Sequence, residues 1–233
     1  RWVYDSGIRG PVLVRWPGAL KPGTSTGRLV SLMDLGPAVL SLAGIPTPRH
    51  IHGRAFLGPH AAAPRKNIYA FRDPMDETRD ARFKYIRNYR PELPYSQHIQ
   101  YMDEMPVLKE MRALHAAGKL TGAPALWFAP AKPVEELYDC DQDPHEIRNL
   151  AADPAHRGKL EELRAAHAAW RRQYEDLTAL PETELLERMR PGGVWQTAPE
   201  PTVSVANTRS GGRVTLMADK PGVRNAWTAE EGA

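Results

Sequence analysis

The sequence predicts an α/β segment, then a small α+β domain of antiparallel sheet and helix, then the opening of a truncated β module. Three observations predict this. A short apolar run, Pro11-Val12-Leu13-Val14-Arg15-Trp16, leads through a loop into an amphipathic stretch that stops at Gly44. Strand-like segments at 67–71, 83–88 and around Leu137-Tyr138 precede the strongest helical periodicity of the chain, which begins at Asp153-Pro154. Twenty-two prolines and eighteen glycines in 233 residues call for short elements and many loops. The corresponding division is 1–60, 61–178 and 179–233.

Residues 11–16 lie between Gly10 and Pro17-Gly18, and a short β-rich apolar run of this kind suits a buried strand of a mostly parallel sheet. Residues 21–27 form a Pro/Gly/Thr/Ser loop. Asp34 stands where a helix would be capped, with Pro37 in the first turn, where its missing N–H removes no helical bond. Leu35, Ala38, Val39 and Leu42 make the expected buried face and Gly44 the C′ residue. Strand, loop and amphipathic helix form a βα unit, the expected edge of a larger sheet.

Further on, strand 83–88 sets Phe83, Tyr85 and Arg87 against Lys84 and Ile86. One helix is expected near 107–117 inside the irregular stretch from Pro91 to Pro133. In the helix opened by Asp153 as N-cap and Pro154 at its first position, Leu160, Leu163, His167, Trp170, Tyr174 and Leu177 recur on one face. After Pro181 come a charged helix at 182–189, a break at Pro191-Gly192-Gly193, and strands at 202–206 and 213–218 about a Ser210-Gly211-Gly212 turn. That pair opens a β module and stops too early to close one.

The net charge of +3 is carried by dispersed Arg and Lys, without the dense basic face and interleaved aromatics of a nucleic-acid binder. No apolar run approaches the roughly 20 residues of a membrane span, and no signal peptide is expected within these residues. Cys140 is the only cysteine, so no intrachain disulfide forms and the compartment stays unread. Arg1-Trp2-Val3-Tyr4 enters at once into a motif-bearing segment, the expected look of a piece of something longer.

Several motifs then recur in a known order. Val134-Glu135-Glu136-Leu137-Tyr138-Asp139, Asp143-Pro144-His145-Glu146 and Asn149-Leu150-Ala151 resemble the C-terminal signature of the sulfatases, of the alkaline-phosphatase superfamily. Tyr4-Asp5-Ser6-Gly7-Ile8-Arg9-Gly10-Pro11, running into Trp16-Pro17-Gly18, resembles a second sulfatase segment. Ser31 to Pro37, Leu40 to Pro46, Gly53-Arg54-Ala55-Phe56-Leu57 and the Lys84-Tyr85-Ile86 strand extend the likeness over most of residues 1–178. The flavour is that of a bacterial branch similar to heparan N-sulfatase.

The resemblance implies a terminal βα unit of a sulfatase-type sheet followed by the family's small C-terminal domain. It implies that Asp5, Gly7 and Arg9 belong to an active-site loop, Gly7 supplying a backbone conformation other residues resist and Arg9 pairing with a carboxylate or an anion. A loop-stabilising Asp5–Arg9 ion pair is the plainer reading. Arg72, Asp73 and Asp76 resemble a segment at the substrate mouth of this branch, or else form a charged surface turn.

Sulfate-ester hydrolysis requires a nucleophile, a divalent cation and an acid for the leaving oxygen. The family is implied to use formylglycine, made within C/S-x-P/A-S/x-R, and Ca²⁺ held by Asp and Asn. Cys140 is followed by Asp141-Gln142-Asp143-Pro144, and no serine lies in that motif either. Catalytic and metal-binding residues are thus expected in a missing N-terminal half that precedes Arg1, with a sulfated carbohydrate or aryl sulfate as substrate. The 139–143 stretch lacks the glycine and glutamate of a helix-loop-helix calcium site, and His50 and His52 lack a third ligand. The family implies periplasmic or secreted placement.

Two other readings stay open. One is a degenerate, non-catalytic module that binds sulfated glycans through its basic surface; the other is a phosphodiesterase or phosphonate hydrolase fragment of the same superfamily. Relatives carry a further strand before the Lys84 strand, and residues 78–82 look too short for it, so a strand deletion is expected there.

Overall fold

The computed structural model describes residues 2–72, 75–174, 177, 180–193, 203–207 and 214–218. They fall into two compact units, Arg1–Ala179 and Leu180–Ala233. The first unit starts with a helical turn, α1 (Asp5–Ile8), a long loop, a 3-10 turn (Leu32–Asp34) and α2 (Leu35–Leu42). An antiparallel sheet follows in the order β1-β2-β3-β4, made of β1 (Ile68–Arg72), β2 (Met75–Arg79), β3 (Phe83–Asn88) and β4 (Glu135–Asp139). Between β3 and β4 the chain makes α3 (Gln100–Asp103), α4 (Pro106–Ala116) and α5 (Ala123–Leu126). Pro154–His156 forms a 3-10 turn whose N-cap, Asp153, accepts from the Ala155 N–H, and α6 (Arg157–Tyr174) continues from it.

Strand register sorts the side chains onto two faces, because successive residues alternate. Tyr85 opposes Thr78 and Leu137, while Lys84 opposes Arg79 and Tyr138, and Ile86 opposes Glu77 and Glu136. One face, with Tyr85 and Leu137, is closed by Leu150 and by Leu160 and Leu163 of α6. On the other, Ile86 and Tyr138 join Trp2, Val3, Tyr95 and Cys140. Both faces are therefore covered, and polar residues of β2 and β3 are as deeply buried as apolar ones.

Four expectations change. Residues 11–16 form no strand, and Leu13 is 92% exposed; a strand needs a ladder partner, and none of the described strands lies beside it. The apolar stripe of α2 faces outward, Val39 being 65% exposed, and the buried side is Pro37, Ala38 and Ser41. No strand is deleted near 78–82: Met75–Arg79 is itself the strand between β1 and β3. Gly7 sits within α1 and is not among the glycines of positive φ, so it supplies no special backbone conformation.

Asp34 stands at the N-cap position of α2, yet its carboxylate accepts from the N–H groups of Ser31 and Arg54 and from the Arg65 guanidinium. Gly44, at φ 75°, closes α2 with paired bonds, Gly44 N–H to Ser41 O and Ile45 N–H to Leu40 O, the Schellman arrangement. The second unit holds α7 (Glu182–Met189) and an antiparallel pair, β5 (Val203–Asn207) and β6 (Val214–Ala218). The Ser210-Gly211-Gly212 turn lies outside the described residues.

Candidate functional site

Three of the sequence motifs converge on one buried point. Lys84, with no exposed surface, extends from β3 toward the N-terminal segment; its Nζ lies 2.7 Å from Asp5 Oδ1 and 2.7 Å from Glu146 Oε1, and donates to the Val3 carbonyl at 2.9 Å. Arg79 Nη1 also bonds both Asp5 oxygens, at 2.7 and 2.9 Å. Glu146 accepts the Asp5 N–H at 2.6 Å, and it holds a left-handed backbone, φ 54°, that a non-glycine residue adopts only under tertiary constraint.

Glu77 completes the group. Its Oε2 is 3.3 Å from Lys84 Nζ, but neither of its oxygens makes a hydrogen bond among the described residues. Three carboxyls thus face two cations, and charge balance leaves one carboxyl over. Burial pushes Glu77 up to about 7, against the pull of Lys84, and marks it as the group that keeps a proton. Burial also raises Asp5, but Lys84 and Arg79 outweigh it and hold Asp5 below the usual carboxylate range.

A second polar cluster adjoins the first. Glu136, fully buried, accepts from the Tyr4 and Tyr138 hydroxyls at 2.7 and 2.6 Å, from Tyr95 at 2.8 Å and from Asn88 Nδ2 at 2.6 Å. Burial, then the neighbouring Glu136, drives all three phenols far up, so they stay protonated and donate to Glu136. Trp2 packs edge-on against Tyr95 and Trp127 above this cluster.

The residues singled out by sequence separate in space. Asp5 turns inward, while Arg9 is 66% exposed and reaches Asp5 Oδ2 at 3.3 Å. Arg72 is exposed at the end of β1. Asp76 is not at a surface: it is buried on the opposite sheet face, 3.3 Å from Arg171 and 3.8 Å from His167, so the β2 register withdraws it from any mouth. Asp73 lies outside the described residues.

Cys140 is 4% exposed, and burial pushes its thiol up to about 11, the opposite of a poised nucleophile. Asp5, Cys140 and Glu146 offer atoms close enough to share a cation. They do not fit Ca²⁺, which takes six to eight oxygens, because the Lys84 ammonium already bridges the two carboxylates. Elsewhere Arg28, Arg65, Lys66, Arg82 and Lys159 line a basic cavity of about 580 Å³. Three of these cations are already paired, Arg65 with Asp34, Arg82 with Asp139 and Lys159 with Asp80 and Glu162.

The family described as N-sulphoglucosamine sulphohydrolase, C-terminal, matches residues 1–75. An ulvan-active sulfatase of Formosa agariphila is 40% identical over 230 residues, 95% of this chain and 38% of that protein. Human N-sulphoglucosamine sulphohydrolase is 26% identical, over 82% of this chain and 45% of that protein.

The chain is a C-terminal region of the sulfatase family.

It spans under half the length of these relatives. In this sulfatase region the signature residues Asp5, Lys84, Glu136 and Glu146 are the joints between the N-terminal segment, β3, β4 and the loop after β4. Sequence reasoning missed Lys84, Glu77 and Arg79 as a unit. A lysine at the centre of a strand with Tyr85 and Ile86 around it was the available signal, since both neighbours demand burial and a buried lysine demands carboxylates.

Proposed function

We propose that this region is the bracing and pocket-shaping part of a sulfatase acting on sulfated carbohydrate or aryl sulfate, without turnover of its own. The nucleophile and the Ca²⁺ site would come from a catalytic half that precedes these motifs. The carrying observation is the apolar surface of the first 45 residues. Leu13, Leu32 and Val39 are 92%, 79% and 65% exposed, and Val12, Val14, Met33, Leu35 and Leu42 are exposed with them. Exposed apolar side chains in such number mark a contact surface. Residues 11–16 have the composition of a sheet-interior strand and α2 has an outward apolar stripe; against a catalytic sheet both would be buried, as the last βα unit of that sheet.

The inward-facing chemistry supports the same reading. The buried Asp5, Glu146 and Glu136 carboxylates are each hydrogen-bonded to other parts of this region, and the Cys140 thiol is buried and held protonated. The test is direct. Purified chain with Ca²⁺ and an aryl sulfate is expected to show no turnover above blank. Coexpression with the catalytic part of the Formosa agariphila relative, formylglycine installed, is expected to yield an active pair. Turnover by the chain alone overturns the proposal.

A further inference from the structure

Residues 2–9 lie against the sheet as a strap, Trp2 and Val3 packing with Ile86 and Tyr138, and several of its polar anchors converge on one lysine. An ammonium has three N–H donors. Four oxygens stand round Lys84 Nζ: Asp5 Oδ1 and Glu146 Oε1 at 2.7 Å, the Val3 carbonyl at 2.9 Å and Glu77 Oε2 at 3.3 Å. The three nearer oxygens take the donors. Glu77 is the acceptor left over, buried and with neither oxygen hydrogen-bonded among the described residues. Val3 and Asp5 belong to the strap itself. Glu146 holds the strap as well, its Oε2 accepting the Asp5 N–H at 2.6 Å from a residue kept in a left-handed backbone.

The groups facing Glu77 decide what its proton does. Lys84 of β3 and Arg79 of its own strand favour the carboxylate, and Asp5 of α1 opposes it. Glu146, from the loop after β4, shares Lys84 with it, and Cys140 beside Glu146 is an un-ionised thiol. Its ladder partners on β1 and β3, Ala70 and Ile86, carry no charge. Burial outweighs the two cations, so Glu77 stays protonated until about 7. Once ionised, it is a third carboxylate beside an ammonium whose donors are all in use. A donor can then reach it only by leaving the strap or Glu146. We propose that Glu77 is a proton-gated competitor for Lys84, so that losing its proton loosens residues 2–9 from the sheet and regaining it closes them again. The segment that carries Asp5 and Arg9 is thus shut in mild acid and yields toward alkaline pH. This device goes beyond the bracing role proposed above and lies wholly within the chain.

The test is amide hydrogen exchange of the full chain at pH 5 and pH 8, corrected for the intrinsic rate at each pH. The amides of Asp5, Gly7, Ile8 and Arg9 bond to Glu146 or within the first turn and report the strap. Their protection is expected to fall at least about tenfold between the two pH values. At pH 8 their exchange should hardly respond to urea below the unfolding midpoint, the mark of a local opening, whereas β3 and β4 amides should accelerate with it. Glu77→Gln, nearly the same shape and unable to ionise, is expected to keep strap protection equal at both pH values. Melting curves report whether that variant folds, and the parent readings decide the proposal without it. Strap protection that is equal at both pH values in the parent overturns the device. So does an undiminished loss in folded Glu77→Gln, or strap exchange that accelerates with urea in step with β3 and β4. None of these outcomes bears on turnover by the reassembled pair, so failure here and failure of the wider reading are distinguishable.

Discussion

A lysine ammonium with no exposed surface and carboxylate oxygens of Asp5, Glu77 and Glu146 within 3.3 Å is a costly object unless its partners remain. Lys84→Met would strand Asp5 and Glu146 in the core, with Arg79 left to serve Asp5 alone. We expect a loss of about 3–5 kcal/mol, read from the midpoint of urea unfolding, and a smaller loss when Glu146→Gln is added. Glu77 makes a prediction of the opposite kind. Its folded carboxyl keeps its proton up to about 7 against an ordinary 4.5, so the folded state binds more protons in that window. Its contribution is complete below about 4.5 and is lost as pH rises through about 7, at most about 3 kcal/mol. Asp5 works the other way, held low by Lys84 and Arg79, and its contribution is lost only in acid. Urea midpoints for Glu77→Gln should therefore vary less between pH 5 and 8 than those of the parent. An unchanged slope would mean that Glu77 is not the protonated member.

At the scale of elements, the edges of the sheet explain two further motifs. β4 is an outer strand, and its free edge is occupied by Asn149, whose Oδ1 accepts from the Leu137 and Ala151 N–H groups while its Nδ2 donates to the Glu135 carbonyl. Gly53 has a different duty: a Cβ there would stand 1.9 Å from the Met33 carbonyl oxygen. Gly53→Ala must separate the 53–58 loop from the turn before α2, and we expect about 2–4 kcal/mol of destabilisation, measured by thermal melting, with β3 and β4 left paired. The elements whose pattern is local were legible in the sequence. Phe83–Asn88, the Asp153-Pro154 start and the Leu160-Leu163-His167 face all declare themselves through spacing. β2 was not, because Met75 to Arg79 contains three charged residues and reads as a turn; only the partners Lys84, Asp5 and Arg171 make a buried strand of it. The site was less legible still. Asp5 and Asp76 carry the same side chain in two motif segments; the α1 turn brings one to the Lys84 cluster, and β2 register sends the other toward Arg171 on the far face.

At the scale of the whole molecule, the two sides of the first unit obey different rules. The sheet is covered on both faces, whereas residues 12–16 and the outer side of α2 offer water a set of side chains that folding normally removes from it. The expected strand 11–16 has no ladder partner among the described strands and is absent, while the helix, stabilised by its own backbone bonds, is present; the docking surface proposed above accounts for both. This asymmetry yields a prediction that separates docking from folding. Leu13→Asp combined with Val39→Asp changes only exposed positions, so the melting temperature of the chain should move little, within about 0.5 kcal/mol of stability, while light scattering at high concentration should fall. The same pair of carboxylates, forced into an apolar contact, would each lack a partner, and several kcal/mol of desolvation would oppose assembly. Coexpression with the catalytic part should then give no active pair, although Lys66→Ala, a charge change of similar kind on another surface, should. Full activity in the Leu13→Asp, Val39→Asp pair would mean that this apolar face meets nothing in the assembled enzyme.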